Sequence, residues 1–510
     1  MRRGAPSPGW AWLRHPALAL VAGVLHTASF APSPAWWLQP LALAWLFLAC
    51  DGARPRRAAL TGALFGVGWL ASGLWWLYIS MHDFGHLNPV VSALAVLALA
   101  LFLSTYYAIA LGVAARWTAG ASATRRATAF AGLWLAAELA RASFLTGFPW
   151  IASGYAHTQG PLAALAPYVG VYGIAAVSAL GAAALALRHW TLLGALALAL
   201  VGAQFLPADF TRSTGTLAVS LVQPNIPQDQ KFDRDRFDQN FDQLVALIES
   251  SRGQVVITPE SVLPVPLAFL AEDQAARLNR GAAVRPLLLG TFLGNSTGGF
   301  VNSLAGLGIP GGYDYGKRHL LPFGEYVPPG FHWFVTAMRI PMDDQASGTH
   351  QRALAFAGQR LRPLICYEDL FGEDVVASAL DASASGASGD AAATMFVNAS
   401  NLAWFGPRMV QDQHLQFSRM RALEFQRPVV RATNTGATAH VDHHGQVLAR
   451  LPAETAGVLE VTVEGRTGAT PYARWLAAAG LWPLWALAAL AVLPVLWRGR
   501  RSGSTPLGRT

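Results

Sequence analysis

Apolar stretches recur through the first 206 residues and return once near the C-terminus, and this pattern constrains the fold more than any other feature of the chain. The candidate spans are residues 16–33, 36–50, 58–80, 89–114, 127–146, 162–187, 189–206 and 475–497. Several approach the roughly 20 residues that cover a bilayer. The second and seventh are short. Of the 510 residues 53% are hydrophobic and 13% charged, too apolar for an ordinary soluble enzyme. The imbalance is local, because charges are sparse in the first 200 residues and frequent from 208 to 473. The chain therefore divides into an N-terminal membrane domain at 1–207 with about seven transmembrane helices, a globular domain at 208–473, and a C-terminal helix with a tail at 474–510. Met1 to Ala35 has the outline of a cleaved signal peptide. The apolar stretches that follow at once favour a retained first span.

The net charge of +8 comes substantially from arginines beside these spans. It reads as membrane topology rather than nucleic-acid binding. Arg2, Arg3 and Arg14 precede the first span, and Arg54, Arg56 and Arg57 lie between the second and third. Arg116, Arg125 and Arg126 separate the fourth from the fifth, Arg188 the sixth from the seventh, and Arg498, Arg500 and Arg501 follow the last. The alternate connections 81–88 and 147–161 hold no Lys or Arg. The positive-inside rule then makes both termini cytoplasmic and puts 208–473 outside, in the periplasm of a cell with two membranes. Glu138 and Arg141, three apart on one helical face, are expected either as a structural pair or as a lipid-headgroup contact. Trp75, Trp76, Trp150 and Tyr155 suit interfacial belts.

In the globular domain, Leu361 to Ile365 is a mostly apolar run that reads as a strand, and Cys366 stands at its end before the acidic Glu368 and Asp369. The only other cysteine, Cys50, falls in a membrane-like stretch, so Cys366 has no disulfide partner in its own domain. Only two of the 37 basic residues are lysine, Lys231 and Lys317. A compact ammonium differs chemically from a planar guanidinium, so a surviving lysine marks a place where arginine is unsuitable, or else a chance survivor. Lys317 lies in the polar stretch Tyr315 to Tyr326. Glu260 ends another apolar run, Val255 to Ile257, in Thr258-Pro259-Glu260-Ser261. A carboxylate, an ammonium and a thiol are the parts of a general base, an electrostatic stabiliser and a nucleophile.

Strands are expected at 217–222, 254–258, 286–291, 300–305, 361–365, 394–398 and 428–433, helices at 235–250 and 408–426, and a hairpin turn at 441–447. This mixture means a layered α/β or α+β domain. Residues 377–393, rich in Ala, Ser, Gly and Asp, read as a flexible surface loop. Phe331 to Met342 is crowded with apolar side chains, and a core helix and a lid dipping toward lipid are both open readings. The adjacent His443 and His444 show no partner at ligand spacing, so no metal site is expected. No cofactor is called for.

With these residues in hand, the chain resembles the apolipoprotein N-acyltransferases of bacterial envelopes. That family joins a multi-span membrane region to a nitrilase-like domain and a final span, so the resemblance covers essentially the whole chain. The segments that carry it are Thr258 to Ser261, Gly316 to Pro328 and Ile365 to Glu368. The resemblance implies a fold in which a multi-span α-helical membrane domain is joined to an α/β nitrilase-like αββα sandwich. It implies a Glu260-Lys317-Cys366 triad, with Glu325, Tyr367 and Glu368 supporting it. It also implies acyl transfer from a phospholipid to the α-amine of a diacylglyceryl-cysteine apolipoprotein through a thioester on Cys366. The setting would be the inner membrane, with membrane lipid as surroundings and the chain acting as a monomer. Asn401 to Gly406 is similar to a family segment reading Asn-Asp-Ala-Trp-Phe-Gly, but Leu402 stands where the family has the acid. Trp404 carries over as a substrate contact. Phe232 takes the place of a tryptophan often found after Pro227, and remains able to pack on an acyl chain. Two other functions use the same residues differently: a membrane-anchored amidase acting on a small amide, and a non-enzymatic transporter or envelope scaffold. The ordered triad and the low charge of the spans weigh against the latter.

Overall fold

The computed structural model describes residues 15–295, 298–333, 344–350, 352–380, 392–407 and 409–501. They divide into two compact units. The first comprises the described parts of 1–77, 90–208 and 479–510, and the second comprises 78–89 and 209–478.

The first unit is helical. Among the described residues two helices can cross a membrane by length and composition, within Pro89–Trp117 and Pro161–Ala186. The number rises to four if two bent pairs, Pro55–Gly73 with Leu77–Phe84 and Pro471–Ala479 with Trp482–Leu496, each form one span. Leu18–Thr27, Leu38–Cys50 and Trp190–Ala203 are apolar but only 10, 13 and 14 residues long. The spans expected from hydropathy are thus interrupted as helices. Apolar composition measures compatibility with lipid, whereas helix length also depends on breakers such as Pro32 and Pro34 after the first helix. Helices Leu18–Thr27 and Pro55–Gly73 cross in close contact because glycine stands on both sides. A Cβ at Gly68 would strike the Leu20 carbonyl, and one at Gly23 the Phe65 carbonyl.

Glu138 and Arg141, on helix Ala123–Ser143, have fully buried side chains 3.0 Å apart. Arg141 donates to the carbonyls of Phe148 at 3.0 Å and Trp150 at 2.8 Å, while Glu138 accepts the Ser153 amide at 3.1 Å. The pair is a staple that folds the 147–155 connection onto its helix. Of the two readings of this pair, the geometry fits the structural one. Trp76, Trp150 and Tyr155 are buried as well, with Trp76 packed on Trp150, so the interfacial reading is corrected for these three. Their rings fill the bundle. Trp75 alone of the four is exposed.

The second unit is built on two six-stranded sheets. One runs in the order β12-β1-β2-β3-β4-β5 and the other β11-β10-β9-β8-β7-β6. The strands are β1 Thr211–Gln223, β2 Val255–Ile257, β3 Leu287–Asn295, β4 Gly299–Leu307, β5 Tyr313–Gly316, β6 Leu354–Phe356, β7 Gln359–Ile365, β8 Met395–Ser400, β9 Val429–Thr433, β10 Ala439–Val441, β11 Val447–Arg450 and β12 Gly457–Gly468. The two-residue period of the strands decides the layers. Val219, Val255, Ile257 and Leu288 face Leu361, Ile365, Val397 and Val430 in the core between the sheets. Val256, Leu287 and Leu289 point the other way, against helices Phe237–Ser250 and Glu272–Val284 through Phe241, Leu244, Ile248 and Leu278. Helices Gly372–Ala379 and Met409–Phe425 accompany the second sheet. This is an αββα sandwich, in which strands covered on both faces read as continuous apolar runs. The long antiparallel partner of β1, β12 (Val219 opposite Val461), was not among the expected strands.

Residues 334–342 of the expected apolar segment lie outside the described residues, as do 381–391 of the expected surface loop. Phe331 and Trp333 are exposed, while Ala377 to Ala379 close a helix.

Candidate active site

Parallel pairing of β1 with β2, of β7 with β8 and of β8 with β9 brings several strand ends together. Glu260 follows β2, Lys317 follows β5, Cys366 follows β7, and Asn401 follows β8. Residues more than 100 positions apart are thereby placed around one polar pocket.

Lys317 Nζ is 3.1 Å from Glu260 Oε1 and 2.7 Å from Glu325 Oε1. Asn302 donates to the same two oxygens at 2.7 and 3.2 Å. The second oxygen of Glu260 accepts the Asn401 amide at 3.0 Å. The second oxygen of Glu325 accepts the Leu321 amide at 2.8 Å. Every described contact holds the carboxylates in one orientation. Glu260, Lys317 and Glu325 are all buried, and Cys366 is partly open.

Two carboxylates beside one ammonium set the electrostatics. Burial opposes the charge on Lys317, but Glu260 and Glu325 together outweigh it and hold its pKa well above the ordinary value. Lys317 therefore stays charged and acts as a fixed positive centre. Burial raises the Glu325 pKa, with Glu260 adding to the rise and Lys317 opposing it. Burial also pushes the Cys366 thiol well up, again helped by Glu260 and opposed by Lys317. Lys317 alone would lower the thiol pKa, but burial and Glu260 outweigh it. A thiol so raised rests protonated, and to act as a nucleophile it would need a base at the moment of attack.

The backbone at Cys366 is left-handed, φ +55°, a conformation that costs a side-chain-bearing residue on the order of 1–3 kcal/mol. Glu368 holds it. One oxygen accepts the Ile365 amide at 2.7 Å and the Tyr315 hydroxyl at 2.8 Å, and the other accepts the amides of Arg318 and His319 at 2.8 and 3.2 Å. Asn398 donates to the Cys366 carbonyl at 2.8 Å. Tyr367 donates to the Leu320 carbonyl at 2.6 Å, and Lys317 sits 5.7 Å from the centre of its ring. Behind the site Arg431 lies 3.3 Å from Asp369, whose carboxyl burial pushes up to about 6 against the pull of Arg431.

Trp404 stands between two rings, Phe232 at 6.1 Å and Phe84 at 5.9 Å. Phe232 is exposed, so this apolar surface is open to a ligand. Leu402, in place of the family acid, is 1% exposed and packs inward. The sequence reading missed Asn302, Asn401 and Phe84. Asparagines in strands and loops give no signal until topology shows what they face.

His443 and His444 do have a neighbour, contrary to the expectation. Asp209 Oδ1 lies 3.2 and 3.4 Å from their Nε2 atoms, and the three residues' ligand atoms fall within 4.8 Å of one another. Arg466 is 3.5 Å from the same oxygen, so a guanidinium already serves that carboxylate.

A family model described as "Apolipoprotein N-acyltransferase N-terminal domain" matches residues 22–184, and one described as "Carbon-nitrogen hydrolase" matches 218–472. A relative from Verminephrobacter eiseniae named apolipoprotein N-acyltransferase is 46% identical over 94% of this chain and 95% of its own. The chain belongs to the apolipoprotein N-acyltransferase family. A second family member, from Ralstonia nicotianae, is 42% identical over 96% of this chain and 94% of its own. Among solved structures, a CN-hydrolase superfamily protein of Xanthomonas campestris covers 52% of this chain and 96% of its own, at 19% identity and a TM-score of 0.37. The division between the two family models falls where the helical unit gives way to the sandwich.

Proposed function

We propose that this chain N-acylates lipoproteins through a thioester on Cys366, with Glu260 as base and Lys317 as oxyanion partner. The observation that carries this reading is the convergence of the three groups at the ends of β2, β5 and β7, in a chain that also carries the family's membrane half. Glu260 takes the thiol proton as sulfur attacks the ester carbonyl of a phospholipid. The C–S bond forms and the carbonyl oxygen becomes an oxyanion beside Lys317. A fixed donor of this kind is worth roughly 3–4 kcal/mol of transition-state stabilisation. Collapse breaks the ester C–O bond. Protonated Glu260 returns the proton to the departing lysophospholipid alkoxide, and a thioester remains. The α-amine of a diacylglyceryl-cysteine attacks that thioester and gives its proton to Glu260. The amide forms, and Cys366 leaves as thiolate and is reprotonated. Donor and acceptor are thus used in turn, in ping-pong order.

Glu325 and Glu368 support Lys317 and Cys366, Tyr367 lines the pocket, and Trp404 with Phe232 receives an acyl chain. Residues 208–473 form the catalytic domain, facing the periplasm from the inner membrane, with both termini cytoplasmic. The arginine distribution supports that orientation. The enzyme acts as a monomer, without nucleic acid. Membrane attachment has a physical reason, since drawing an acyl chain from lipid costs about 0.8 kcal/mol per methylene.

The test is to supply labelled phospholipid without acceptor to wild type and Cys366→Ala in detergent, and to look for an adduct by mass spectrometry. The expected result is a hydroxylamine-labile acyl group on Cys366 of wild type only, discharged by a diacylglyceryl peptide with a free amine. An adduct that water alone discharges would show a hydrolase, and no adduct at all would remove the proposal.

A further inference from the structure

Lys231 is the second of the two lysines and takes no part in the chemistry above. Its side chain is nevertheless enclosed, with 3% of the residue exposed. Among the described residues no carboxylate lies within ion-pair distance of it. Its Nζ donates to Ser261 Oγ at 2.9 Å and to the Glu260 carbonyl at 3.4 Å. Both acceptors belong to the turn that carries the general base, and Ser261 is held there in a left-handed conformation, φ +44°. An enclosed ammonium with only neutral partners is costly, and burial lowers the Lys231 pKa to about 7, with Glu260 opposing. A purely packing role at this position would be served better by methionine.

The segment around Lys231 reaches the base by a second route. Gln228, on the same short helix Gln228–Lys231, accepts from Asn401 Nδ2 at 2.9 Å, and the Asn401 amide donates to Glu260 Oε2. The next residue along, Phe232, presents its ring to Trp404. Three residues within five consecutive positions therefore touch the turn behind Glu260, the amide donor in front of it and the aromatic surface beside it.

We propose that Lys231 is a positioning residue for the general base, fixing the Glu260–Ser261 turn so that the carboxylate meets Cys366. This rests on the catalytic roles assigned above, and the test separates the two. The full-length protein in detergent is prepared as wild type, Lys231→Met, Lys231→Arg and Ser261→Ala. Three quantities are read: thermal unfolding, the rate of Cys366 alkylation by iodoacetamide (followed on the Cys366 peptide), and the rate constant and KM of thioester formation from labelled phospholipid. Lys231→Met is expected to unfold at or above the wild-type temperature at pH 7. Its alkylation and thioester rates fall at least about 10-fold with donor KM within twofold, as for a misplaced catalytic group. Lys231→Arg does not restore them, and Ser261→Ala loses part of the rate. Wild-type rates in Lys231→Met, or a loss no greater than its loss of folded protein, overturn the proposal. If Lys231→Met does not fold, Ser261→Ala decides, and unchanged alkylation there overturns it. If wild type forms no thioester, the proposed function fails while the alkylation rates still report on Lys231.

Discussion

Glu368 accepts the backbone amide of Arg318 at 2.8 Å, tying the loop that carries the ammonium to the strand end that carries the thiol. The carboxylate is buried and has four described donors, and among the described residues no cation lies within ion-pair distance of it. Glu368→Gln puts an amide donor where one pair of these donors points. The expected loss is about 1–3 kcal/mol in unfolding free energy. Acyl transfer should fall about 10- to 100-fold at saturating donor, because Lys317 and Cys366 lose their common brace. Denaturation and transfer assays on the same preparation check both.

Lys231 predicts a pH dependence of stability. The unfolded chain keeps this amine protonated to about 10.4, whereas the folded one releases the proton near 7. Between these values the unfolded state binds more protons, so folding grows more favourable as pH rises. Thermal unfolding between pH 7 and 9 should show a positive slope in wild type that is reduced in Lys231→Met. Equal slopes would count against a depressed lysine.

Glu138 and Arg141 predict a stability effect. Removing one member leaves the other buried and uncompensated, at a cost of about 3–5 kcal/mol. Arg141→Met should therefore unfold well below wild type in detergent, and the double variant Glu138→Met/Arg141→Met should recover part of the loss. Transfer per folded molecule should change little. A large drop in activity without a drop in stability would revive the headgroup-contact reading.

Trp404 and Phe232 predict a substrate effect. Trp404→Ala opens an aromatic cluster of three rings, while the triad distances do not involve it. The expected outcome is a donor KM raised about 10-fold for long acyl chains and less for short ones, with iodoacetamide alkylation of Cys366 unchanged. Kinetics with two donor lengths check this.

Glu260 and Cys366 were legible as candidates because each follows an apolar run, and Lys317 because lysine is rare in this chain. A lone cysteine after Leu361 to Ile365 and one of two lysines stand out in a chain that otherwise uses arginine. The sandwich was legible for a related reason, since strands covered on both faces, such as Val255 to Ile257, read as plain apolar runs. Asn302, Asn401 and Gln228 were not legible, because their roles arise from pairings across 42, 141 and 173 positions of sequence. Lys231 was visible by the same rarity argument as Lys317, but its acceptors, Ser261 Oγ and the Glu260 carbonyl, lie 30 and 29 positions away. In the membrane half, hydropathy found the apolar segments but not their helical breaks. Nor could it tell a tryptophan at a lipid interface from Trp150, which the bundle encloses.

The short stretch Tyr78–Pro89 belongs to the same compact unit as the sandwich, although residues 90–210 separate it from β1, and its Phe84 forms one wall of the Trp404 cluster. On the ribosome that wall is made early, before any strand of the sheets exists. The Trp404 cluster is complete only when Phe84 and Trp404, 320 positions apart, have met. A fragment that starts at residue 208 would therefore lack one of the two rings that flank Trp404.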